Sequence, residues 1–180
     1  MLLRADKKAL SIVIGYVLLI AISIVMSVIV YAWLKTYVPK DVTKCDEGTS
    51  IFLKNFIYNC TAGKEMLNIT LKNNGKFSID GYFIHASNVS NADSLAVIDL
   101  SGKILNGGIV SGNSVKFSQT IENALTPDLL TNEKMSSFNS TGYGRIYKIE
   151  IIPIRMQVID NTKKVVSCSD VKIEQTLTCS

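Results

Sequence analysis

Lys7 and Lys8 stand directly before Ala9, and an apolar run begins at Leu10. A basic flank, a small residue and a hydrophobic segment therefore meet within four positions. Such a junction admits three fates: removal of the run as a secretory signal, retention as a permanent anchor, or a cut on its N-terminal side that frees a helix. A second chemistry comes from four cysteines, Cys45, Cys60, Cys168 and Cys179, all placed after the run. No Cys-x-x-Cys occurs and the single histidine, His85, is far from them in sequence, so no zinc pattern is matched. An even count on one side of a membrane segment implies an oxidising exterior and two disulfides. Three pairings exist. The short-loop one, Cys45 with Cys60 and Cys168 with Cys179, is expected, with one bridge at each end of a domain.

Enzyme constellations are missing from the sequence. One histidine excludes most His-based metal triads and the His-Glu-x-x-His helix, and His85 beside Ile84 in a strand reads as structural. There is no Gly-x-Ser-x-Gly elbow, phosphate loop or Gly-x-Gly-x-x-Gly fingerprint. Asp80, Asp93, Asp99 and Asp128 are scattered, and none begins a calcium loop. No catalytic residue, cofactor or metal is expected.

The apolar run must position the first of these chemistries. From Ala9 to Leu34 there are 26 residues without a charge; as a helix they would reach about 39 Å, against a hydrocarbon core of about 30 Å. The run exceeds the roughly 7 to 15 residues of a cleavable signal's apolar region, and "YAWLKTYVPK" after it offers no small-x-small cleavage site. Arg4, Lys7 and Lys8 favour a cytoplasmic N-terminus, although Lys35, Lys40 and Lys44 reduce the contrast. Tyr31, Trp33 and Tyr37 would form an aromatic belt at the outer interface. Pro39 should end the helix near Tyr37 or Val38. Ser11 and Gly15 are four residues apart, as are Ser23 and Ser27; small-xxx-small pairs of this kind let helix backbones approach closely.

The stretch "KKALSIVIGYVLLIAISIVMSVIV" resembles the N-terminus of archaeal type IV pilin-like proteins, the superfamily that includes archaellins. The resemblance rests on Lys7, Lys8, Ala9, Ser11, Val13, Ile14 and Gly15 and covers roughly the first fifth of the chain. Ile12 stands where the family's common form has proline, and Ala9 where glycine is frequent. The resemblance implies that a prepilin-type peptidase cuts between Ala9 and Leu10. It also implies that the freed helix packs with identical helices, and a head-to-tail interface that does not close generates a helical filament.

After Pro39 the pattern shortens and alternates. Ser50 to Tyr58, Glu65 to Asn73 and Phe77 to Ala86 read as strands, with Ala62-Gly63 and the hairpin signal Asn74-Gly75 between them. Weaker strands are expected at Leu95 to Leu100, Lys103 to Leu105 and Ser114 to Ile121, with "NGGIVSGN" as a glycine-rich connection. Asn123 to Tyr143 reads as a polar loop with a helical turn after Pro127. Arg145 to Asp160 is the strongest strand, and Pro153 within it argues for an edge strand or a bulge. "KVVSCSDVKIEQTLTC" supplies a final pair. Four N-glycosylation sequons begin at Asn59, Asn68, Asn88 and Asn139. Asn59 precedes a cysteine and is expected to be the poorest acceptor; Asn139, in the polar loop, the best.

The net charge of +4 and the lack of a basic, aromatic-interleaved patch argue against a nucleic-acid partner. The expected fold class is α+β: a long N-terminal apolar helix followed by an antiparallel β-sandwich or barrel-like domain. Residues 1–9 form a basic leader, 10–38 a transmembrane or filament-core helix, and 39–180 an exported β-domain. The expected function is that of a structural subunit of an archaeal surface filament. Its partners would be identical subunits, a prepilin-type peptidase and assembly machinery, and the membrane before assembly. The alternative is an uncleaved single-span anchor carrying an extracellular binding or stator-like module.

Overall fold

The computed structural model describes residues 3–37, 44–91, 93–118, 124–127, 132–159 and 161–180, and the chain divides into two compact units, Met1–Val42 and Thr43–Ser180. The first unit holds one helix, α1 (Leu3–Tyr37). Its backbone runs without a break through Ala9 and Leu10 and ends at Tyr37. Pro39 lies outside the described residues.

The second unit contains eleven strands among the described residues. They are β1 (Ile51–Asn59), β2 (Met66–Asn73), β3 (Gly81–Ser87), β4 (Ile98–Asp99), β5 (Ile104–Asn106), β6 (Ile109–Ser111), β7 (Ser114–Lys116), β8 (Glu133–Asn139), β9 (Lys148–Ile159), β10 (Thr162–Ser167) and β11 (Ile173–Thr176). One sheet has the order β1-β2-β8-β5; the other runs β10-β9-β3-β7-β6, with β11 also on β9 and β4 on β3. Every pairing is antiparallel. The fold is thus an apolar helix followed by antiparallel sheets, the α+β class read from the sequence.

Alternation explains how the sheets meet. In β2, Leu67, Ile69 and Leu71 are fully buried, while Asn68, Thr70 and Lys72 point to the other face. In the second sheet Tyr82, Ile84 and Ala86 of β3 lie opposite Pro153, Ile151 and Ile149 of β9. These inward side chains join those of β1, β2 and β8 in one buried cluster, so the two sheets pack face to face. Fully burying a leucine or isoleucine contributes about 1.5–3 kcal/mol, and this shared cluster is the main source of the domain's stability.

Several expectations are corrected. Asn74-Gly75 does not close a β2–β3 hairpin, because β2 pairs with β1 and β8 while β3 pairs with strands of the other sheet. The buried Asn73 side chain organises a crossing between sheets instead. Its Nδ2 donates to the Phe77 and Leu125 carbonyls, each at 2.8 Å, and its Oδ1 accepts from the Gly75 amide. β3 accordingly starts at Gly81 rather than Phe77. The expected loop from Asn123 to Tyr143 contains β8, an interior strand between β2 and β5; the residues after Pro127 lie outside the described set. "NGGIVSGN" contains β6 and the turn of a β6–β7 hairpin.

Pro153 sits in an interior strand, not an edge. Along β9, one side is shared by β11, which pairs as far as Ile151, and β10, which starts at Ile154. The Pro153 carbonyl faces this interval and accepts from the Cys168 amide at 2.9 Å. The nitrogen of a strand residue faces the same neighbour as its carbonyl, so the missing N–H falls where no ladder bond is required.

The disulfides are Cys45–Cys168 and Cys60–Cys179, not the short-loop pairs. Cys45 is held to the β10–β11 connection, next to Pro153. Cys60, one residue past β1, is held to the C-terminal tail, where the Ser180 amide also donates to the Tyr58 carbonyl. Both bridges span the domain because the N- and C-terminal segments pack on strands distant in sequence.

Candidate assembly surface

Residues Val13–Thr36 of α1 form a 24-residue apolar span with mean hydropathy 2.9, none of it buried. At 1.5 Å per residue this is about 36 Å, enough to cross a hydrocarbon core with some tilt. Lys35 is its only charge. The apolar residues occupy every side, for example Val17, Leu18, Leu19 and Ile20, all more than half exposed. A helix apolar all round is stable only when lipid or protein surrounds it. Its few hydroxyls are compatible with either: Ser23 donates to the Leu19 carbonyl at 2.9 Å and Thr36 to the Ala32 carbonyl at 3.1 Å. Tyr31 and Trp33 lie near its C-terminal end, both exposed.

The small residues fall on two faces. Ser11 and Ser23 are twelve residues apart, which at 3.6 per turn rotates one pair about 120° from the other. At Gly15, apart from the adjoining residues and the backbone of its own helix turn, no atom lies within 4 Å of where a Cβ would stand. Ser11–Gly15 and Ser23–Ser27 therefore lie on separate faces of the helix. Lys7, Lys8, Ala9, Leu10 and Ser11 belong to α1 by their backbone, while their side chains lie outside the described set.

The β-domain restricts pairing through its sheet edges. β1, the outer strand of its sheet, carries an irregularity between Leu53 and Asn55, and Ser180 occupies its Tyr58 carbonyl. β10, outermost on the other sheet, bears Lys163 and Lys164. β5 and β6 are three residues each. Bulges, lysines and short edges all discourage edge-to-edge addition of another sheet.

Electrostatics on the outer faces is structural. Lys54 and Lys72 converge on Glu133 at 2.6 and 3.5 Å, and the Lys54 hydrogen bond in particular holds that carboxyl below the usual range. Lys172 bridges Glu174 and Glu150 at 2.7 and 3.3 Å. The Glu174 hydrogen bond raises the lysine, and the same contact lowers Glu174. In the core, burial pushes the Tyr82 hydroxyl well above the ordinary phenol range, against a smaller opposing influence of Ser136; among the described residues no partner of hydrogen-bonding geometry meets it.

His85 is half-buried in β3, opposite Asp99 and Glu150 and stacked on Phe83 with ring centroids 6.4 Å apart. Among the described residues no three His, Cys, Asp or Glu side chains are placed to share a metal ion; Asp128 lies outside that set. The sequons are brought together in a way the sequence did not signal. Asn59, Asn68 and Asn139 all lie on the outer face of the β1-β2-β8 sheet, whereas Asn88 follows β3. Asn139 ends β8 and is not in the loop expected for it. No family model, curated protein or solved structure matches the chain.

Proposed function

We propose that the protein is a non-enzymatic structural subunit of an archaeal surface filament, assembled through α1 after removal of residues 1–9. The observation that carries the reading is the contrast between the two units. A 24-residue span of α1 exposes apolar side chains on every side, while the sandwich has its own core, two disulfides and blunted edges. Assembly therefore falls to the helix. Two lines of small residues about 120° apart suit a helix surrounded by several neighbours better than one facing a single partner. The resemblance of residues 7–15 to archaeal type IV pilin-like proteins supports the same reading, with Ala9–Leu10 as the processed bond. Before assembly α1 resides in the membrane; afterwards it exchanges lipid for identical helices, and the β-domain forms the outer wall.

Shearing cells and pelleting the released material tests this directly. The native chain should appear in the sheared pellet, and a Gly15→Leu, Ser23→Leu chain should reach the membrane in normal amount yet be absent from that pellet. A native chain that stays wholly in the membrane fraction as a monomer would instead indicate the uncleaved anchor with a binding or stator-like module.

A further inference from the structure

The β1-β2-β8 sheet brings two sequons side by side at one end. Asn59 ends β1 and Asn139 ends β8, and each is directly opposite Met66 of β2. Directly opposed residues share a face, and Tyr58, Leu67 and Phe138 next to them point into the core. Both asparagines therefore project outward, in one row, two interstrand spacings or about 10 Å apart.

The two have the same local geometry. In each, the backbone amide of the threonine two residues on donates to the asparagine Oδ1, Thr61 at 2.9 Å and Thr141 at 3.0 Å. Both side chains are exposed, and among the described residues no hydrogen bond uses either Nδ2. A bond to Oδ1 draws density from the carboxamide and makes its N–H more acidic. The other two sequons lack this arrangement. Asn68 is half-buried in an interior strand, with its Oδ1 enclosed. Asn88 has its Nδ2 engaged with the Tyr143 carbonyl at 3.1 Å.

We propose that Asn59 and Asn139 form a paired N-glycan site capping this end of the sheet, and that Asn68 and Asn88 stay unmodified. The inference rests on the reading that the β-domain is exported. The donor class is an oligosaccharide linked to a polyisoprenoid phosphate. The sugar C1–O bond to phosphate breaks and C1 bonds to Nδ2. The lipid phosphate leaves with the bonding electron pair, and a base on the transferase takes the Nδ2 proton. Two glycans here would flank Met66, an apolar side chain 38% exposed on the same row. The sequence pointed the other way for Asn59 because Cys60 follows it. In the fold, Cys60 turns to Cys179 while Asn59 stays outside.

The test is peptide mass spectrometry of the reduced, protease-digested full-length protein from its native cells, alongside intact masses of Asn59→Gln, Asn139→Gln and Asn68→Gln chains. Sugar should be found on the Asn59 and Asn139 peptides. Each of the first two substitutions should lower the intact mass by one glycan, and Asn68→Gln should leave the glycan mass unchanged. Unmodified Asn59 and Asn139 peptides in the native protein overturn the proposal, as does a glycan on Asn68. Protease treatment of intact cells separates the causes: if the unmodified domain is cleaved from outside, the glycan proposal fails alone, and if it is protected, the export reading fails with it.

Discussion

The helix and the sandwich solve the burial problem in opposite ways. In the sandwich, apolar side chains alternate with polar ones, and residues such as Leu67, Ile69 and Ile151 are buried by the domain itself. In α1, apolar side chains point everywhere and the chain buries none of the span. The first unit can be stable only in surroundings supplied by lipid or by other molecules, and the second carries its stability within it. Under the proposed function, a protein so divided would keep assembly and outer surface on separate segments, each open to alteration without the other.

Truncation gives the largest effect and is the simplest way to break this comparison. A chain beginning at Lys44 should be folded, soluble without detergent and monomeric by sedimentation, whereas the full chain should sediment as a large species or require detergent. Oligomers of the truncated chain would show that the sandwich also drives assembly.

Disulfide removal comes next. The bridges close separations of 123 and 119 residues, and in the chain-entropy picture a loop of that length contributes about 4–5 kcal/mol. Replacing Cys60 and Cys179 with serine should lower the denaturation midpoint of the β-domain accordingly, and leave the helical signal of α1 in membranes unchanged.

Core truncation sharpens the contrast residue by residue. Ile69→Ala should cost the domain about 2–5 kcal/mol in chemical denaturation, while Val25→Ala in α1 should leave that transition where it was. A smaller loss is expected from Gly107→Ala. Gly107 has φ +88°, and a Cβ there would meet the Met135 carbonyl oxygen, so the passage from β5 to β6 would have to shift.

The weakest effect is the pH dependence of the surface network. Glu133 is held below its ordinary range by Lys54, then Lys72. Its contribution is present above the unfolded carboxyl pKa and is lost as pH falls through the folded one. Lys172 is raised, so its contribution is present below the unfolded lysine pKa and is lost as pH rises through the folded one. Melting curves of Glu133→Gln should show a flatter acid limb than the parent, and the difference should shrink in high salt.

What could be read in the sequence followed how local the determining physics was. The apolar run and the alternation in β2 are properties of neighbouring residues, and both were legible. β8 was hidden because its inward positions are Lys134, Ser136 and Phe138, and the buried Ser136 gives no hydrophobic period; its strand character comes from the strands on either side. The disulfide pairing depends on which distant segments pack together, and short loops were a poor guide to it. Asn74-Gly75 carried a genuine turn signal, but whether a turn joins paired strands or crosses between sheets is decided by the register of the whole domain. The row containing Asn59 and Asn139 likewise exists only once β2 lies between their strands.

The most direct measurement is the mass of the N-terminal peptide of the native protein, taken separately from sheared surface material and from membranes. The sheared chain is predicted to begin at Leu10, keeping the remainder of α1 from Leu10 to Tyr37. A chain that retains Lys7 and Lys8 and is found only in membranes would contradict that prediction.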